Sequence, residues 1–250
     1  MSRFRNLKAN EISEKSPKNY VTRADIEAEK RLAEDLTRLI PGSVAIGEES
    51  VEDDPNLLNL LNNEAPVWIL DPVDGTGNFV AGKACFALII AYFVAGETIA
   101  GWIHDPIHDI TVSAIKGKGA WIGSTRLKTP DKMQVEEMTG SLGPRFRQKV
   151  RDAFGYSEED NRLVRYKCVG MEYLDLARGI LHFARYAGRI KPWDHAAGIL
   201  IHDEAGGHNQ LSGEVAGNYD ATAGIIENSS LLLAPNLHAW GKLQAIIGEP

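Results

Sequence analysis

The sequence predicts a mixed α/β protein built in two halves, and three observations predict it. An amphipathic helix near the start is followed by two short apolar runs that end in acidic residues. Closely spaced strands come next, and past a polar stretch strands and helices mix. In the helix, Ile26, Leu32, Leu36, Leu39 and Ile40 recur near helical spacing between Thr22 and Ile40, and Pro41-Gly42 stops the run. Val44-Ala45-Ile46 and Val67-Trp68-Ile69-Leu70 read as buried strands whose ends open at a sheet edge, each carrying carboxylates there. Phe86 to Phe93, Thr98 to Ile103, Ile110 to Ile115 and Ala120 to Ile122 are separated by Gly96, Asp105-Pro106 and Gly117-Lys118-Gly119, which predicts an antiparallel meander. Beyond the polar stretch Leu127 to Gly140, helices are expected over Tyr173 to Tyr186 and Asp194 to Ala205, the second stopped by Gly206-Gly207.

Composition narrows the class of function. A chain of 250 residues with 44% hydrophobic and 24% charged residues can bury a substantial core, which excludes disorder, collagen and a coiled coil. With 27 Lys and Arg against 34 Asp and Glu, the net charge of −7 repels a phosphate backbone, so no nucleic-acid partner is expected without a local basic patch. The longest apolar stretch, Cys85 to Ala95, falls well short of the roughly 20 residues of a membrane-spanning helix. The start, Met1-Ser2-Arg3-Phe4-Arg5, has no apolar core or cleavage site, so a cytoplasmic protein is expected. Cys85 and Cys168 lie far apart in the chain and in apolar surroundings, and are expected to be buried, reduced thiols.

The segment Trp68-Ile69-Leu70-Asp71-Pro72-Val73-Asp74-Gly75-Thr76-Gly77-Asn78-Phe79 carries the chemistry. A buried strand delivers Asp71 to the sheet edge, Pro72 holds a turn, and Asp74 returns three residues later, with the carbonyls between them available as oxygen ligands. Such a set can clamp a hard cation. Gly75 and Gly77 permit close backbone approach, so the N–H groups around Gly75-Thr76 can cradle an oxyanion beside it. Asp-Pro and Asp-Gly alone would mean only turns; the combination argues for a site. The Asp-x-Asp-Gly-Thr element of haloacid-dehalogenase phosphatases does not fit, because Pro72 occupies the place of the nucleophilic carboxylate.

Two further segments complete the pattern: Gly47-Glu48-Glu49-Ser50, and Lys191-Pro192-Trp193-Asp194-His195-Ala196-Ala197-Gly198. Together with the Asp71 segment they resemble the inositol monophosphatase family of metal-dependent sugar phosphatases. The likeness runs along nearly the whole chain, from Val21-Thr22 and Asp25 through Gly117-Lys118-Gly119-Ala120 to Glu204-Ala205-Gly206-Gly207. It implies a layered αβαβα sandwich of the inositol monophosphatase/fructose-1,6-bisphosphatase type. Residues 1–126 would form the half with the main metal motifs, and 127–250 the half contributing Asp194 and the substrate-side helix. It also implies a homodimer acting on a small phosphorylated metabolite. By the resemblance, Glu48, Asp71 and the Val73 carbonyl hold one Mg²⁺; Asp71, Asp74 and Asp194 hold a second; and Glu48 helps a weaker third. A metal-activated water would attack phosphorus in line, with Thr76 and Asp25 assisting its deprotonation and Gly75-Thr76 holding phosphate oxygens. An all-oxygen donor set suits Mg²⁺, with Mn²⁺ as a substitute, better than Zn²⁺.

Structural roles compete with several of these. Asp25, three residues after Thr22, can be the acidic member of a capping box, and Asp194 a helix-start carboxylate. Glu49 and Ser50 are read as turn residues. His104 and His108 beside Asp105 are given turn roles rather than zinc, His195 a packing or hydrogen-bonding role, and Lys118 a hairpin tip. The family's small residues before the substrate-side helix are replaced by Gly170-Met171-Glu172-Tyr173, so Met171 and Glu172 are expected to narrow that side and make it negative. A Glu before Trp-Asp that receives sugar hydroxyls is missing at Arg185-Tyr186-Ala187-Gly188-Arg189. Glu172 can favour a substrate bearing a cation or several hydroxyls, such as histidinol phosphate, or can pair with Arg185 or Arg189. Relative to the family, a first helix is expected to be shortened before Arg3. A regulatory, transcription-complex role, drawing on Arg145-Phe146-Arg147-Gln148-Lys149 and Arg185 to Lys191, is the rival to catalysis.

Overall fold

A computed structural model describes residues 3–16 and 19–248; Met1 and Ser2, part of the start read as free of a signal, lie outside them. A short hairpin, β1 (Ile12–Ser16) and β2 (Asn19–Thr22), leads into α1 (Arg23–Leu39). Then follow β3 (Val44–Gly47), α2 (Glu48–Asp53), β4 (Val67–Asp74), α3 (Thr76–Val80), β5 (Ala87–Val94), β6 (Glu97–Asp105), β7 (Ile110–Ile115), β8 (Gly119–Ile122) and β9 (Thr125–Arg126). The second half holds β10 (Gly140–Ser141), α4 (Pro144–Phe154), β11 (Leu163–Val164), α5 (Val169–Arg178), β12 (Phe183–Ile190), α6 (Pro192–Glu204), β13 (His208–Gly213), β14 (Ile226–Ala234) and α7 (Leu237–Ile247).

Strands β3 to β9 form one seven-stranded sheet in chain order, parallel between β3 and β4 and antiparallel thereafter. The meander is therefore present, with β9 added. A five-stranded sheet runs β11-β10-β12-β14-β13. Helices α5 and α6 lie between the two sheets, α1 and α2 cover the outer face of the first, and α4 and α7 cover the second, which makes the layered αβαβα sandwich. Every residue of β4 is buried, because α1 packs on one side of it and α6 on the other. Helix α6 is buried almost all round, from Pro192 to His202, which is why it shows no polar stripe.

Two expectations need correction. The apolar stripe of α1 does not all face inward: Ile26 and Leu39 are 53% and 70% exposed, whereas Asp25 and Glu29 are buried. That face turns carboxylates inward because they have partners on α3 and α2. The helix expected over Tyr173 to Tyr186 breaks at Gly179, left-handed at φ +71, and Phe183 to Tyr186 belong to β12. Its apolar residues serve two buried elements in succession, which periodicity alone cannot separate. Among the described residues, no helix is long and apolar enough to cross a membrane.

The sandwiched layer fits because backbones touch. A Cβ at Gly101 on β6 would stand 2.9 Å from the Cα of Ala197 on α6, and that contact is backbone, so it cannot swing aside. Gly101→Ala should therefore lower stability by about 1–3 kcal/mol, read as a fall in the urea midpoint. A midpoint within error of the wild type would contradict this account of how α6 is seated.

Candidate active site

Three remote segments bring their carboxylates to one point. Glu48 opens α2 at the end of β3, Asp71 lies on β4, and Asp194 sits in the first turn of α6. One ligand atom from each lies within 4.8 Å of the others, the arrangement a metal ion requires. The donor set is all oxygen, which fits a hard divalent cation. Burial pushes the Asp71 carboxyl well above the ordinary carboxylate range, and the charges of Glu48, Asp74 and Asp194 push it further. Asp194 is raised in the same way, by burial and then by Glu48 and Asp74, against the opposing charge of Lys191. Without cations, burial and the neighbouring charges therefore favour the protonated, uncharged forms of Asp71 and Asp194.

Asp74 lies beside this trio and is turned partly away from it. Its Oδ2 accepts the Gly170 N–H at 2.5 Å and the Cys168 thiol at 3.0 Å. One oxygen thus ties β4 to the start of α5. Gly75, at φ +86, turns the chain sharply into α3 and requires a residue without Cβ strain. Asn78 on α3 donates to the carbonyls of Cys85 at 2.9 Å and Tyr166 at 3.0 Å, fixing this turn against the loop before α5. The carbonyl of Val73 accepts from the Thr76 hydroxyl at 3.0 Å.

Asp25 makes the contacts of the capping box and also faces Thr76. Its Oδ2 accepts the Thr22 backbone N–H at 3.0 Å and the Thr22 hydroxyl at 2.5 Å, closing the capping box of α1. Its Oδ1 lies 3.0 Å from the Thr76 hydroxyl. Burial raises its carboxyl, while the Thr22 and Thr76 hydrogen bonds oppose the rise. Glu49 and Ser50 lie on α2 rather than in a turn, and their N–H groups donate to Glu29, each at 2.9 Å. His108 pairs with Asp105 at 2.6 Å and His104 contacts Thr111 at 2.9 Å. His195 is buried 3.0 Å from the Tyr173 hydroxyl, and burial, aided by Lys191, drives it down to about 3, so it is neutral.

Glu172 does not make the pocket negative in the way expected. It is 5% exposed, and its Oε1 accepts the Ser141 hydroxyl at 2.5 Å and the Tyr166 N–H at 3.1 Å, tying α5 to β10. Arg189 pairs instead with Glu227, at 3.4 Å, and Arg185 lies over the Phe146 ring, 3.6 Å from its centre. Met171 packs against the main core. A cleft of about 300 Å³ runs from Asp74 and Asp194 past Ser141 to Arg165, Lys167, Arg185 and Arg189. Its far side is cationic.

Four residues at the site have no site role predicted from the sequence. Glu29 holds the start of α2, and its one signal is the four-residue step from Asp25 on the same helix face. Lys191 places its Nζ 2.7 Å from Glu48 Oε1; a cation at the head of a helix, against the dipole, was the clue. Cys85 and Cys168, far apart in sequence, are free thiols: Cys168 is buried and donates to Asp74 Oδ2 at 3.0 Å, and Cys85, half-buried, donates to the Tyr166 carbonyl at 3.8 Å.

A family model described as the inositol monophosphatase family matches residues 1–244. Inositol-1-monophosphatase of Bacillus subtilis is 31% identical over 232 residues, 89% of this chain and 82% of that protein. Nus factor SuhB of Pasteurella multocida is 32% identical over 200 residues, 77% of this chain and 72% of that one. Among solved structures, the extragenic suppressor protein suhB of Bartonella henselae superposes with a TM-score of 0.77 at 26% identity, covering 99% of this chain and 91% of that one.

The raised carboxyls set a pH dependence. The metal-free fold retains protons on Asp71 and Asp194 that the unfolded chain has lost above 3.8, so their contribution to metal-free stability falls as pH rises. A divalent cation bound there would displace those protons. The rise in Tm produced by Mg²⁺ should grow from about pH 5 to about pH 8 and be lost in Asp71→Asn. Equal Mg²⁺ shifts at both ends of that range would contradict the assignment.

Proposed function

The chain belongs to the inositol monophosphatase family, and from that premise we propose that it is a Mg²⁺-dependent phosphomonoesterase acting on a small phosphorylated metabolite. The observation that carries the reading is the meeting of Glu48, Asp71 and Asp194 within 4.8 Å, beside the Thr76–Asp25 pair. In this reading Glu48, Asp71, the Val73 carbonyl, Asp74 and Asp194 hold two or three ions, with Mn²⁺ able to replace Mg²⁺. Bound there, the metal supplies positive charge against the phosphate oxygens and acidifies water. The residues of the chain do the rest. The backbone of Gly75 and Thr76 holds phosphate oxygens as α3 begins. The Thr76 hydroxyl takes the proton of the attacking water and passes its own to Asp25 Oδ1, 3.0 Å away. Asp25 suits this because burial has already raised its proton affinity.

For the leaving alcohol, the cleft favours anions. Arg165, Lys167, Arg185 and Arg189 line its far side, while the Glu172 carboxylate is engaged by Ser141 and Tyr166. A second phosphate, as in fructose 1,6-bisphosphate or phosphoadenosine phosphate, suits that wall better than the cation of histidinol phosphate or the bare hydroxyls of inositol phosphate. A homodimer in the cytoplasm belongs to the same reading. The rival is the regulatory role, which the relatives named Nus factor SuhB favour. Of the two basic clusters behind it, Arg185 is drawn over Phe146 and Lys191 into the carboxylates, while Arg145 of the one and Arg189 of the other are exposed. A phenotype retained by Asp71→Ala would favour the rival.

Phosphate release should depend on Mg²⁺ and be highest, as kcat/KM, for the bisphosphorylated substrates; equal rates with and without metal would remove the mechanism. Thr76→Ala should lower kcat by about 10²–10⁴ with KM little changed, since the hydroxyl acts on the attacking water. A variant whose loss lies wholly in KM would place Thr76 in substrate binding alone.

A further inference from the structure

Helix α6 begins with a charge of the wrong sign. Lys191 is its N-cap residue and makes no side-chain cap hydrogen bond, although this position favours a side-chain oxygen and the helix dipole opposes a cation there. The side chain instead runs across Trp193, 5.2 Å from the ring centre, and places Nζ 2.7 Å from Glu48 Oε1, with the two side chains 19% and 15% exposed. Lys191 and Asp194 stand three residues apart in the opening turn of α6, so the cation and the carboxylate project toward the same cluster.

We propose that Lys191 is a resident cation of the metal site: its ammonium occupies one carboxylate oxygen of Glu48 and so takes the place of a third divalent ion. The inference rests on the metal-dependent reading of the cluster and deepens it. Glu48, Asp71, Asp74 and Asp194 with one lysine sum to about −3, a charge that two divalent ions already reverse toward an incoming phosphate. A third ion would have to displace an ammonium already seated on Glu48. The lysine also holds Glu48 in position before any ion arrives, tying the start of α2 to the start of α6 across the two halves of the chain.

The test counts ions rather than turnover. Mn²⁺ bound per chain is measured by electron paramagnetic resonance for the full-length wild type, Lys191→Met and Lys191→Arg. Lys191→Met is expected to bind one more Mn²⁺ than the wild type, and Lys191→Arg the wild-type number. Equal numbers and affinities in wild type and Lys191→Met would overturn the proposal. A second measurement uses the unaltered protein, so it stands even if Lys191→Met does not fold. The ¹⁵N-labelled ammonium of Lys191, identified by its loss in Lys191→Arg, should remain protected from exchange in the Mg²⁺-saturated protein. An ammonium released to solvent by Mg²⁺ would show that the metal displaces it and would equally overturn the role. A wild type that binds no Mn²⁺ would overturn the metal-dependent reading itself, an outcome distinct from the other two.

Discussion

The structure depends on holding like charges together. Glu48, Asp71 and Asp194 meet within 4.8 Å, with Asp74 at their side, and burial as well as repulsion acts against their ionisation. A flexible chain would relieve this by moving them apart. They stay because each stands on an element fixed by apolar packing: Asp71 on a strand buried along its whole length, Asp194 on a helix enclosed between two sheets, and Glu48 at the joint of β3 and α2. The core thus holds together carboxyls whose ionisation burial and their neighbours oppose.

That support reaches beyond the carboxylates. Asp74 is anchored to α5 through Gly170 and Cys168, Asn78 binds the loop before α5, and Glu172 ties α5 to β10. Each contact joins a residue of the first half to one of the second, or braces the helix that makes the joint. The site is the seam, and α5 and α6 are the layer that seals it. Their fit is backbone-close, at Gly101 against Ala197, so the seam has little room to shift.

Polar groups at this seam perform two tasks at once, an economy that follows from burial. A buried carboxylate must have its oxygens satisfied, and Asp25 uses one oxygen to cap α1 and the other to face Thr76. Glu29, one turn on, caps α2 and thereby steadies Glu48. Capping α1 and facing Thr76 are therefore compatible for Asp25, because each uses a different carboxylate oxygen.

Much was legible in the chain because it is local. The stop of α1 at Pro41-Gly42, the strand ending at Asp71, the meander and the Asp-Pro-Val-Asp-Gly-Thr turn are all fixed by neighbours a few residues away, where periodicity and turn chemistry act. What proved illegible involves distance. That Phe183 to Tyr186 form a strand depends on pairing with β14, and that Glu172 turns to Ser141 depends on where β10 lies. The meeting of Cys168 with Asp74 and of Lys191 with Glu48 depends on folding segments 94 and 143 residues apart onto one seam. Residue order settled which groups stand at the ends of which elements. Only packing in three dimensions settled which ends face each other, because burial and long-range charge act through space and leave no period along the chain.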